Sequence, residues 1–90
     1  MKTIHRTDVP VDDRTHPLLC APDDVVHVDC RQLDVVQVWH HAPSDDACQV
    51  VVTGTGHPVP DDYQHLGTGL SPASGARERG VLVWHLWALP

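Results

Sequence analysis

The chain has 90 residues, 41% of them hydrophobic and 20% charged, and a formal charge of −6 from 6 basic against 12 acidic side chains. This length allows one small domain over residues 1–90, and the composition is globular rather than disordered. The acidic balance argues against a nucleic-acid binder, which needs a basic face for phosphates, and against a polybasic membrane anchor. No apolar run approaches the roughly 20 residues of a membrane span, and Met1–Arg6 lacks the apolar stretch of a signal peptide.

Taken in order, the valine-rich runs predict strands near 2–9, 15–20, 25–31, 35–42, 48–54, 63–68 and 81–88. Turn signals separate them. Acidic pairs stand at Asp12-Asp13, Asp23-Asp24, Asp45-Asp46 and Asp61-Asp62, with Pro22, Pro43 and Pro60 beside the last three. Aspartate side chains satisfy turn amides and proline presets φ, so these pairs read as solvated turns rather than catalytic carboxylates. No segment has a helical period, and frequent valine disfavours helix. The expected fold is all-β, a small single-domain sandwich or partly open barrel of about seven short strands.

The clearest hairpin flanks Gln32-Leu33. With that dipeptide at the tip, Cys30 faces Val35, Val28 faces Gln37 and Val26 faces Trp39. Val26, Val28, Cys30, Val35 and Trp39 then share an interior face. Residues 71–80 read as a flexible loop before a last strand, Val81–Trp87, that is apolar on both faces. Trp39, Trp84 and Trp87 read first as core. Trp87, near the end of the chain, has a second reading as a partner surface. Val-Trp-His recurs at 38–40 and 83–85 and Gly-Thr-Gly at 54–56 and 67–69, without the common offset of a duplicated unit.

The three cysteines, Cys20, Cys30 and Cys48, have spacings unlike a zinc knuckle or a redox pair. They read as reduced thiols of a cytoplasmic protein, behaving as small hydrophobes. No Gly-x-Ser-x-Gly elbow or other nucleophile–base pair is apparent, so no catalytic residue is named and the chain is read as non-enzymatic.

Among candidate sites, Thr53–Asp62 is the most informative stretch. Gly54 and Gly56 permit positive φ and close backbone approach, and Pro58 stiffens His57 into an extended conformation. Gly54, Thr55, Gly56, His57 and Pro58, with Trp87, are therefore the candidate ligand or partner contacts. The competing reading is a tight exit from the sheet with His57 bonded to a neighbouring carbonyl. The stretch lacks the lysine and following helix of a phosphate loop. For a metal, His27, Asp29 and His40 could converge across the hairpin, with His85 joining from an adjacent strand. Scattered surface histidines are the other reading of the eight imidazoles. No cofactor is expected.

The strings Gly54-Thr-Gly-His-Pro-Val-Pro-Asp61, Leu66-Gly67-Thr68 and Leu82-Val-Trp-His-Leu86 resemble a family of small, functionally uncharacterised bacteriophage, prophage and actinobacterial proteins. The resemblance extends to Met1-Lys-Thr-Ile4 and Trp39 and covers nearly the whole chain. His40-His41 and the Ser71–Gly80 insertion depart from the pattern. The resemblance implies a phage or prophage accessory role in the host cytoplasm. The expected function is a small protein-binding module contacting a host or phage protein. It is expected as a homo-oligomer, because a domain of this size is only marginally stable alone. The alternative is a small-molecule, nucleotide-like binding or sequestering protein, with Gly54, Gly56 and His57 on the polar group and a tryptophan on the base. A histidine-based metal site is the third.

Overall fold

A computed structural model describes residues 3–32, 34–41, 47–71 and 82–90. Seven strands follow in order: β1 Ile4–Pro10, β2 His16–Leu18, β3 Val25–Gln32, β4 Val35–His41, β5 Cys48–Gly54, β6 Gln64–Ser71 and β7 Leu82–Ala88. They form two antiparallel sheets, β1-β4-β3 and β2-β5-β7-β6. The only helical element among the described residues is a 3-10 turn at Pro22–Asp24, and no helix there is long and apolar enough to cross a membrane. The all-β expectation therefore holds, and the two sheets do not close into a barrel. Of the flexible loop expected at 71–80, Ser71 is the last residue of β6, and 72–80, the turn around Pro43 and residue Leu33 of the hairpin tip lie outside the described residues.

The Asp12-Asp13 turn works as its chemistry predicts. Asp13 takes φ 62°, while Asp12 Oδ1 accepts the Arg14 amide at 3.1 Å and the His16 ring at 2.8 Å. That bond from His16 holds the Asp12 carboxyl below its ordinary range. Past Pro60, the Tyr63 amide closes a turn onto the Pro60 carbonyl at 3.1 Å.

The interior is built from valine and small residues of both sheets. Val9, Val28, Cys30, Val36 and Val38 come from one; Leu18, Val50, Val52, Leu86 and Ala88 come from the other. The tryptophans correct the core reading. Trp39 is half-buried on the outer face of its sheet against His27, with ring centroids 5.4 Å apart. Trp87 is also half-buried and outward, and only Trp84 packs against the core.

The hairpin register also differs from expectation. Val28 pairs with Val38 and Asp29 with Gln37, and β3 carries two irregularities, between Val25 and His27 and between Asp29 and Gln32. The first bulge throws Val26 out of the interior, leaving it 54% exposed, while β4 turns Val36, Val38 and His40 inward. The second frees backbone amides that side chains then satisfy. Asp29 Oδ1 accepts the Cys30 amide and Gln37 Oε1 accepts the Arg31 amide, each at 2.8 Å. Buried Gln37 is thus part of the bulge. Asp34, at φ 67°, supplies the left-handed residue of the hairpin turn.

Edge strands β3 and β6 meet where the two sheets pack. A Cβ at Gly69 would lie 2.9 Å from the Asp29 carbonyl carbon, and one at Gly67 would lie 2.5 Å from Val28 Cγ2. The glycines permit this approach, and β6 runs on to Ser71 rather than ending near 68.

Candidate functional site

The outer face of the four-stranded sheet carries a polar row. Thr53 and Thr68 flank His85 as cross-strand partners, and Val51 and His65 flank Trp87. Strand alternation would place His65 and Thr68 on opposite faces, three residues apart. A bulge between His65 and Gly67 cancels the odd spacing and brings both to the outer face.

Hydrogen bonds lock this row. His85 Nε2 lies 3.0 Å from Thr55 Oγ1, and its Nδ1 lies 3.0 Å from Thr68 Oγ1. Thr68 Oγ1 is also 3.2 Å from His65 Nε2, which stands 3.4 Å from His85 Nδ1. The His65 ring meets Trp87 edge-on, with centroids 4.9 Å apart. The Trp87 indole donates to Thr53 Oγ1 at 2.9 Å. Each hydroxyl supplies one proton and each neutral imidazole one donor and one acceptor. The series His65–Thr68–His85–Thr55 can therefore be satisfied with its protons running either way.

Above this row lies a cavity of about 330 Å³, lined by Thr53, Gly54, Gly56, His57, His65, His85 and Trp87. The structure thus brings four of the six candidate ligand or partner contacts, Gly54, Gly56, His57 and Trp87, and the metal candidate His85 to one hollow. Thr55 does not line it but bonds to His85, and exposed Pro58 stands outside the lining. The loop is a turn closed by the His57 amide on the Gly54 carbonyl at 3.2 Å. Gly56 supplies φ +88°, whereas a Cβ on Gly54 would find ordinary space, 3.6 Å from Trp84. The expected pair of glycines therefore reduces to one that needs positive φ. The His57 amide is spent on the turn, so it is not part of an anion cradle. Its exposed side chain makes no hydrogen bond among the described residues.

The metal quartet is not assembled. His27 lies against Trp39 on the outer face of the three-stranded sheet, and Asp29 caps the bulge amide of Cys30. His40 is buried, its Nδ1–H donating to the His41 carbonyl at 2.7 Å and its Nε2 bonded to Thr7 Oγ1 at 2.8 Å. His85 belongs to the other sheet. Among the described residues no group of three or more His, Cys, Asp or Glu side chains is arranged to hold a metal ion. His65, Thr53 and Thr68 were not candidates from sequence; the repeated Gly-Thr-Gly string was the signal that could have found Thr68.

A second hollow, about 440 Å³, is lined by Arg6, Asp8, Arg31, Gln32 and Gln37 on the other sheet. There Asp8 pairs with Arg6 at 3.2 Å and Gln37 is committed to the bulge. Burial raises all three thiols, Cys20 to about 11, and so disfavours a reactive thiolate.

No curated protein and no solved structure is significantly similar to the chain. A domain of unknown function, DUF7352, matches residues 1–90, and the chain belongs to that family.

Proposed function

We propose that this protein is a non-enzymatic module that binds a small ring-shaped ligand with a polar edge, of the nucleobase type, in the hollow between His57 and Trp87. The observation that carries the reading is the convergence of the Gly54–His57 turn, His65, His85 and Trp87 on one cavity of about 330 Å³. That volume is at the lower end for ligand pockets, suited to one ring system rather than a dinucleotide. Trp87 offers an apolar ring surface, and the His57 ring and His65 Nδ1, which make no hydrogen bond among the described residues, offer donors and acceptors for a heteroatom edge. With the His57 amide spent on the turn, the polar grip comes from side chains. The motifs at Gly54–Asp61 and Leu82–Leu86 support an accessory role in a phage or prophage setting, in the host cytoplasm.

The test is an NMR titration of the ¹⁵N-labelled full chain with free nucleobases and nucleosides, with a chelator present. Shifts confined to Gly54–His57, His65, His85 and the Trp87 indole are expected, and His57→Ala should weaken binding with no change in Tm. Shifts confined to Arg6 and Arg31, or none at all, would reject the reading.

A second reading is contact with a host or phage protein or with another copy of the chain. It is favoured by Leu70 and Leu82, which are 55% and 49% exposed. Leu70 lies on β6, the last strand of its sheet among the described residues, a position that suits strand addition. Native mass spectrometry of the untagged chain tests it: a dimer dispersed by Leu70→Lys would support it, and a monomer at all concentrations would count against self-association.

A further inference from the structure

We propose that His65 and His85 form a two-nitrogen chelate for a divalent first-row transition metal, with zinc the representative ion. The site stands whether or not the cavity takes an organic ligand. His65 Nε2 and His85 Nδ1 are 3.4 Å apart. That is long for a hydrogen bond, whose usual range ends near 3.2 Å. It matches the spacing of two ligands on one tetrahedral ion, about 3.3–3.4 Å when each metal–nitrogen bond is about 2.0–2.1 Å. The gap is too small for a phosphoryl group or a ring, so the pair is not disposed as an acid and a base across a substrate.

Thr68 completes the face. Its Oγ1 is 3.0 Å from one nitrogen and 3.2 Å from the other, so a nearly equilateral triangle of donor atoms surrounds one point. An ion above that triangle has the imidazoles as its firm ligands and the neutral hydroxyl as a weak third. Further positions are open for water. Two imidazoles select ions such as zinc, copper and nickel over magnesium or calcium, which prefer oxygen.

The outer contacts suit this assignment. A ligating Nδ1 requires the His85 proton on Nε2, where Thr55 Oγ1 accepts it at 3.0 Å. Metal-bound histidines characteristically hold the other ring nitrogen in this way. Thr55 is therefore a positioning residue. Trp87 braces the His65 ring edge-on. Both imidazoles are held on adjacent strands of one sheet, so little side-chain entropy is lost on binding.

The experiment uses the untagged, metal-free full chain with zinc chloride alone as probe. Calorimetry should find one ion per chain. Long-range ¹H–¹⁵N spectra should show the zinc-induced shifts at His65 Nε2 and His85 Nδ1. His65→Gln and His85→Gln should each weaken binding by at least tenfold, and His27→Gln should leave it unchanged. Thr55→Val should weaken it about tenfold and Thr55→Ser should restore it, with the His85 proton on Nε2 in the zinc-bound parent chain. His65 is exposed, so His65→Gln keeps the test valid if His85→Gln perturbs the fold. Absence of one-to-one binding, or binding that survives His65→Gln, would overturn the assignment. Since the ring-ligand titration is run with a chelator, either result can fail without the other.

Discussion

Thr55 and Thr68, the middle residues of the two Gly-Thr-Gly strings, bond opposite nitrogens of one imidazole, that of His85. The flanking glycines Gly54 and Gly69 are both cross-strand partners of Trp84, the residue before it. The repeated string is therefore not a duplicated unit. Its two copies close on one point of β7 from either side and fix a single ring.

Removing both clamps should free that ring without unfolding the chain. Thr55 and Thr68 are exposed, and a neutral hydrogen bond contributes about 1 kcal/mol net. The double variant Thr55→Val, Thr68→Val should lose no more than about 2 kcal/mol in urea unfolding, by that same figure for each bond. In its imidazole spectra the tautomer ratio of His85 should move to that of a free imidazole. An unchanged ratio would mean that another group holds the ring.

The β3–β6 contact predicts opposite behaviour at glycines with similar sequence surroundings. At Gly69 a Cβ meets main-chain atoms of Asp29 and Cys30 at 2.9 and 3.0 Å, which cannot move aside singly. Gly69→Ala should cost about 1–3 kcal/mol, the range for overpacking. Gly54→Ala meets only the rim of Trp84 at 3.6 Å and should be neutral or stabilising by up to about 1 kcal/mol. Equal losses at the two positions would contradict the close approach.

These glycines mark the limit of what the sequence discloses. Valine runs between Asp and Pro turns reveal the strands, because those turns have local chemistry that acts over a few residues. Bulges do not. Each inserts one residue into a ladder, and its stabilising contacts are tertiary, as with Gln37 Oε1 on the Arg31 amide. A period of two therefore misplaces Val26 and Trp39, and it also separates His65 from Thr68. The loop half of the cavity is legible because Gly56, His57 and Pro58 are adjacent. The sheet half is not, because β5, β6 and β7 contribute one or two side chains each.

Val26 and Val28 test the shifted register directly. Alternation from a regular strand would bury both, yet Val28 is 6% and Val26 54% exposed. Val28→Ala should cost about 2 kcal/mol, in line with other core truncations, and Val26→Ala less than about 0.5. Chemical denaturation of the two variants measures the difference, and comparable losses would restore the unbulged hairpin.

The buried thiols give the fold an alkaline limit. Burial pushes Cys20 up to about 11 from an ordinary 9.0, with Cys48 and Asp24 adding like-charge repulsion to its thiolate, and burial raises Cys30 and Cys48 as well. Between pH 9 and about 11 the unfolded chain has released the Cys20 proton while the native chain still holds it. The unfolded state then binds fewer protons, so stability falls as pH rises. This contribution is complete below pH 9 and is lost as pH passes through about 11. Cys20→Ala should flatten part of the Tm decline over that window, leaving the share from Cys30 and Cys48. At pH 8, iodoacetamide should reach half-buried Cys48 before buried Cys20 or Cys30. Identical alkaline slopes for the variant and its parent would show that the Cys20 thiol is not held neutral by its surroundings.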